Sequence, residues 1–296
     1  MNSPNDQGIL YHYCDAHAAL SIVAEGKVWL SSFALSNDSR EGLVGREAIM
    51  ATAMANGAVP YAADQIGEQM EVIDSLYGCY GMCFSTHHDK LSQWRGYADD
   101  GAGFAIGFQY DSLEWLKIPR ALGVTPEVEK EEIRLYRVQY DREAHQNAVS
   151  TIHQSMQPHI AKLDHPINYL AALANKPDTT VVASQRGARE AIGETLLMSW
   201  PDLYTLKSEA FTEEAEWRAI ALAFNYQSGF KFRTSRGKLV PYIEHRLPKS
   251  PEANPIREIV LGPRNTTPEY VVKMMLVEVG LSNEVQVIRS AASYRY

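Results

Sequence analysis

Between Cys79 and Phe108 the chain reads CYGMCFSTHHDKLSQWRGYADDGAGFAIGF. The apolar runs at 80–84 and 104–108 have the length of buried strands and are too short for buried helices. A polar knot, Ser85-Thr86-His87-His88, closes the first run, and Asp99-Asp100-Gly101 turns the chain into the second. The connection between them is not ordinary loop chemistry. It sets Trp94, Arg95 and Tyr97 beside two histidines, where a plain join uses Gly, Asn, Asp or Pro. Two strands joined in this way commit the chain to a sheet, and the connection reads as one wall of a site.

The remaining pattern extends that sheet. Residues 9–14 and 28–32 read as strands, separated by a short helix with Leu20, Ile22 and Val23 apolar and Gly26 as its stop. Asn37-Asp38 marks a loop into a helix through Ile49 and Met54, and Ile66, Met70 and Ile73 recur at helical spacing. Residues 141–195 read as a helical insertion broken at Pro158, Pro166 and Pro177. Strands are expected at 217–224, 240–244, 256–261 and 285–289, with a helix at 268–279 ended by Gly280. The class is α+β: mostly antiparallel strands, with helices near the N-terminus and in the insertion, forming a single domain over 1–296.

Composition excludes several classes. At 296 residues, 45% hydrophobic and 22% charged, the chain has ample material for a core. No stretch approaches the roughly 20 apolar residues that cross a bilayer, so no membrane partner is expected. MNSPNDQG lacks the basic-then-apolar pattern of a signal peptide. The three cysteines form no disulfide framework, and a cytoplasmic location is expected. A net charge of −8 argues against nucleic-acid binding over the whole surface. It leaves open a local patch at Lys231, Arg233, Arg236 and Lys238, whose plainer reading is a solvated strand edge. Phosphate-loop, dinucleotide, zinc-protease and serine-hydrolase motifs are absent.

Two constellations carry chemistry. Glu214, Glu216 and Arg218 fall on one face of a strand that begins near 217. They form either a self-cancelling solvated edge or a carboxylate pair able to stabilise developing positive charge. Tyr11-His12-Tyr13-Cys14 puts His12 and Cys14 on one face of the first strand and the tyrosines on the other. Cys14, His12 and His17 match no paired zinc spacing, so no metal site is assigned. Three readings remain at this level: a nucleotide enzyme, a non-catalytic nucleotide or nucleic-acid binding module, and a metal-dependent nuclease using Glu214, Glu216 and a histidine.

The succession YHYC, VWLSS, SNDSRE, CFST with LSQWRGYADDGAGFAIGF, EEAEWRAI, IREIVLGP and IRSAASYR resembles a bacterial family described as domain of unknown function 2971. A second resemblance joins a Y-H-[YI]-[TC] first strand, a second strand ending in Ser and a late E-x-E strand. That pattern is similar to the ADP-ribosyltransferase fold, with its split-sheet core, including its DNA-modifying toxin branch. The resemblance implies an NAD-consuming enzyme, a bacterial toxin or anti-phage defence effector, with a nucleic-acid or protein acceptor and an antitoxin as partners. It implies His12, with Tyr13 beside it, on the nicotinamide-side ribose, and Glu216 or its pair partner Glu214 on the 2′-hydroxyl. Ser31 or Ser32, or Trp94 and Tyr97, then contact nicotinamide, and Arg40, Arg95 and Arg218 are the pyrophosphate candidates.

Overall fold

The computed structural model describes residues 8–36, 42–117, 133–163, 179–235, 237–248 and 250–294. Among the described residues ten strands form one sheet: β1 Ile9–Cys14, β2 Lys27–Ser32, β3 Tyr77–Ser85, β4 Phe104–Gln109, β5 Arg134–Arg137, β6 Glu216–Phe224, β7 Lys231–Ser235, β8 Lys238–Arg246, β9 Ile256–Leu261 and β10 Gln286–Arg289. The helices of this account are α1 Ala16–Val23, α2 Leu43–Ala55, α3 Pro60–Leu76, α4 Leu91–Tyr97, α5 Arg142–Leu163, α6 Thr179–Met198, α7 Trp200–Leu203 and α8 Glu269–Glu278. Strand pairing is antiparallel except for β10 on β9, a mixed α+β architecture with a mostly antiparallel open sheet.

The sheet forks. Along one edge β3 pairs with β6 from Tyr77↔Phe224 to Ser85↔Glu216. Its other edge is divided between β2, at Tyr80 and Gly81, and β1, at Ser85. β1 leads outward to β4, β9 and β10, and β2 to β8 and β7. Between the two branches, ladder partners are missing over 82–84, where backbone polar groups must find substitutes.

Alternation along β3 and β6 builds a core on each face. Tyr80, Met82 and Phe84 join Ala219, Ala221 and Ala223 in a core with Leu10, Leu30, Phe108 and Leu276. Cys79 and Ile220 face the other way, beneath Ile49 of α2, Ile66 and Met70 of α3 and Trp200 of α7. A Cβ at Gly81 would lie 2.3 Å from the Phe33 ring, so only glycine lets that ring rest on the sheet. A third, smaller cluster holds Tyr11, Tyr13, Trp94, Ala98, Ala105 and Val260.

Several expectations need correction. Pro158 lies inside α5, so that helix continues past it; Pro166, Pro177 and His165 lie outside the described residues. The segment bearing Trp94 and Tyr97 is the helix α4, not an irregular connection. It buries Gln93 and Trp94, and Trp94, with Ala98 just past the helix end, packs against Tyr11 and Tyr13 of β1. β5 has no counterpart in the sequence reading. Glu214 belongs not to β6 but to a 3₁₀ turn, Glu209–Glu214.

Candidate functional site

The densest polar chemistry sits where β3 ends beside the start of β6. Ala215 turns the chain with φ 45°, a left-handed conformation uncommon for a residue with a Cβ. This turn, not strand alternation, carries Glu214 to Glu216. Lys207 arrives from the segment after α7, its backbone N–H held by the Gln139 carbonyl at 3.0 Å. Its Nζ donates to Glu214 Oε2 at 2.5 Å and to Glu216 Oε2 at 3.0 Å. Arg218, 2% exposed, donates from Nε to Glu216 Oε1 at 2.8 Å and from Nη2 to Oε2 at 3.0 Å. Its Nη1 reaches the Tyr204 carbonyl at 2.6 Å, and the guanidinium lies 5.1 Å from the Phe33 ring centre.

Two carboxylates and two cations therefore cancel inside the protein, the condition under which buried charge is tolerated. Burial alone raises the Glu216 pKa; the Arg218 and Lys207 charges, with hydrogen bonds from Arg218 and the Cys83 thiol, outweigh it and hold the group at about 2. Burial alone lowers the Lys207 pKa, and the two carboxylates reverse that and raise it. Tyr97 lies at the accessible edge of the cluster, 41% exposed, its hydroxyl donating to Glu214 Oε1 at 3.1 Å. Glu216 has each oxygen occupied. Glu214 also has each oxygen engaged, Oε1 by Tyr97 and Oε2 by Lys207, but among the described residues it accepts fewer bonds than Glu216.

A second group occupies the fork. His12 projects where β1 leaves β3, and its Nδ1 lies 2.8 Å from the Cys83 carbonyl, filling one gap in the ladder. A carbonyl cannot donate, so Nδ1 carries the proton and Nε2 of the neutral ring is an acceptor. Burial lowers the His12 pKa, opposed by the Cys83 carbonyl and Asp15 and reinforced by Arg233. Arg233 reaches inward from β7 to donate from Nη2 to Ser31 Oγ at 3.2 Å. Beside it the rings of His17, Trp29 and Tyr242 follow one another at 5.4 and 5.1 Å.

Cys83 links the two groups, giving its thiol to Glu216 and its carbonyl to His12. Among the described residues no hydrogen bond or ion pair joins His12 directly to Glu214 or Glu216, and the register turns them apart: Tyr11 pairs with Ser85 and Ser85 with Glu216, so His12 projects on the opposite face, beside Phe84. The expected nicotinamide wall is corrected in part. Trp94 has no exposed surface, and its Nε1 donates to Asp89 at 2.7 Å, so it offers no ring face to a ligand. Tyr13 is likewise buried, donating to the His87 carbonyl and accepting from the Lys90 amide. Arg218 is engaged by Glu216 and Tyr204 and is removed from pyrophosphate duty. Ser32 is buried, Arg95 is exposed on α4, and Arg40 and Arg236 lie outside the described residues. A shallow hollow of about 440 Å³ lies elsewhere, lined by Ile9, Gln109, Arg257 and Glu258 among others. Among the described residues no three His, Cys, Asp or Glu side chains are grouped to hold a metal ion.

Lys207 is the central residue that the sequence reading missed. It stands apart from the E-x-E-x-R run and reaches it only through the Glu209–Glu214 turn.

Fold and site thus define a forked-sheet α+β protein with a charge-neutral buried cluster next to a notch held by histidine. The family described as Protein of unknown function (DUF2971) matches residues 93–219, a span that contains Tyr97, Lys207, Glu214, Glu216 and Arg218 but not His12, Ser31 or Arg233. No curated protein and no solved structure matches the chain. Among the described residues no helix is long and apolar enough to cross a membrane.

Proposed function

We propose that this chain is an NAD-consuming, ADP-ribosyltransferase-like enzyme whose dinucleotide sits at the fork. The observation that carries the reading is His12: a neutral imidazole whose Nδ1–H is spent on Cys83, leaving Nε2 to accept from a ribose hydroxyl. In the reaction the C–N bond between ribose and nicotinamide breaks, and its electron pair leaves with the nicotinamide nitrogen. The ribose passes through an oxocarbenium-like state whose positive charge a nearby carboxylate stabilises. An acceptor nucleophile then bonds to the ribose carbon and releases its proton to solvent water. Glu214, the less heavily bonded carboxylate and the one with Tyr97 at its edge, is the acid assigned to this task. Glu216 serves it by holding Lys207 and Arg218 in place. The acceptor is a nucleic acid or a protein, as in a toxin or anti-phage effector acting in the cytoplasm with an antitoxin as its partner.

The test is nicotinamide release from NAD in the presence of candidate DNA, RNA and protein acceptors. Release that falls by two orders of magnitude or more in His12→Ala and in Glu214→Gln supports the reading, by analogy with the roughly 10²–10³-fold loss when one transition-state-stabilising group is removed. NAD that stays intact with every acceptor refutes it. The closed Lys207–Glu216–Arg218 cluster favours a second reading, a nucleotide-binding module without turnover. That reading expects NAD to bind at the fork and be recovered unchanged.

A further inference from the structure

We infer that the face of β2, β8 and β7 that carries Arg246 and Lys238 binds single-stranded nucleic acid, with phosphates on the cations and a base on the His17 ring. The inference stands apart from the NAD reading, because neither His12 nor Glu214 contributes to this surface.

Register fixes what this face carries. Lys27 lies opposite Arg246, Ser31 and Lys231 opposite Tyr242, Arg233 opposite Val240 and Ser235 opposite Lys238. Opposed residues of a ladder share a face, so Lys27, Lys231, Arg233, Lys238 and Arg246 project to one side. Glu244 is the only carboxylate these strands place there. In a chain of net charge −8 this is a local excess of positive charge. Glu25 and Glu244 engage Lys27 and Lys231, whereas Arg246 and Lys238 are exposed and no carboxylate pairs with either among the described residues. Lys27 and Arg246 are directly opposed, an unfavourable placement of like charges that a bound phosphate would relieve. Lys238 and Arg246 stand roughly 27 Å apart along β8, too far for one phosphate to bridge and within reach of a polymer. The rings on this face lie outside the cores. His17, Trp29 and Tyr242 follow one another at 5.4 and 5.1 Å, neither Trp29 nor Tyr242 belongs to any of the three clusters, and His17 at the end is exposed. Bases stack on such rings, histidine included, while neighbouring cations track the backbone. An anionic membrane fits less well. It engages cations and apolar side chains together, and the exposed Phe232 and Leu239 of this hairpin, opposite Pro241 and Thr234, project to the other side of the sheet.

Fluorescence anisotropy of the full chain with labelled DNA and RNA single strands of about 12 nucleotides, in the absence of NAD, tests this. Binding is expected at about 50 mM salt and should weaken toward about 200 mM, log K falling by about 0.7 per log unit of salt for each phosphate held. Lys238→Ala and Arg246→Ala should each flatten that slope by about the same amount, and Lys238→Arg should restore it. His17→Ala should weaken binding about fivefold or more at every salt concentration with little change in slope, because stacking releases no counterions. The three side chains are exposed, and unchanged melting curves for the variants exclude misfolding as the cause. No binding at low salt, a slope indifferent to Lys238 and Arg246, duplex DNA bound as tightly as single strands, or phosphatidylserine vesicles bound in preference overturns the inference. Since NAD is absent throughout, these outcomes are independent of whether NAD is cleaved.

Discussion

Glu214 and Glu216 share a lysine, yet the burial and partners of each give it a different role. Glu216 is the hinge of the ion cluster, with Arg218 on both oxygens and Lys207 on one. Replacing it with glutamine leaves Arg218 buried without a counter-charge. The expected loss is about 3–5 kcal/mol, the usual cost of breaking a buried pair. Glu214→Gln still leaves Lys207 paired with Glu216 and should cost markedly less. The pH dependence has a definite sign. The folded-state pKa of Glu216 is depressed to about 2, against an unfolded value of about 4.3. Its contribution to stability is therefore complete above the unfolded value and is lost as pH falls toward the folded one. Urea unfolding midpoints for the parent chain and Glu216→Gln, compared between pH 7 and pH 3, should converge as the solution is acidified. A constant gap would show that the carboxylate's charge is not what matters. The E-x-E-x-R run was visible in the sequence because it is contiguous. Its meaning was not, because alternation describes a strand and Glu214 reaches the cluster through the left-handed turn at Ala215.

At the scale of elements, the opening tract was legible as strand, connection and strand because apolar runs of that length have few alternatives. The connection itself is a helix rather than a loop. α4 buries Trp94 fully, and a short amphipathic helix leaves the same residues in the sequence as an aromatic-lined loop. What holds it is Asp89. One of its oxygens accepts from Trp94 Nε1 and Ser290 Oγ, and the other from the amides of Ala291 and Ala292. Burial alone raises the Asp89 pKa, and these donors outweigh it and lower the value. One carboxylate thus ties α4 to the segment that follows β10. Asp89→Ala should release both at once, and hydrogen exchange should show amides of 91–97 and 290–292 losing protection together while β3 and β6 keep theirs. If only one segment is affected, Asp89 does not couple them. β5 escaped the sequence reading for a different reason. It is four residues long, half-buried, and becomes a strand only because β6 lies beside it.

For the whole molecule, the central question is whether the helical layer could be lost without the sheet. The expectation from sequence was an insertion with no core of its own. In the structure α5 and α6 supply Val149, Ile152, Met156, Ile160, Ala188, Ile192 and Leu196 to a core that also contains Cys79 of β3 and Ile220 of β6. The opposite face of those two strands belongs to the other large core. A strand pair buried on both faces cannot retain one face's packing while the other becomes solvated, because exposing Ile220 and its neighbours removes the contacts that fix the register of Ala219 and Ala221. Three tryptophans report on the separate clusters: Trp200 in the helical core, Trp94 in the small cluster over β1, and Trp217 packed against the other large core. Variants retaining one of these three at a time, with the others and the remaining tryptophans changed to phenylalanine, should unfold in urea with equal shifts in midpoint by fluorescence and by far-UV circular dichroism. The test lies in the agreement of the two probes within each variant, since the substitutions themselves alter stability. A Trp200 signal that moved well before the circular dichroism of the sheet would identify the helical layer as a separate folding unit. The fork, and any ligand seated in it, would then persist without the helices.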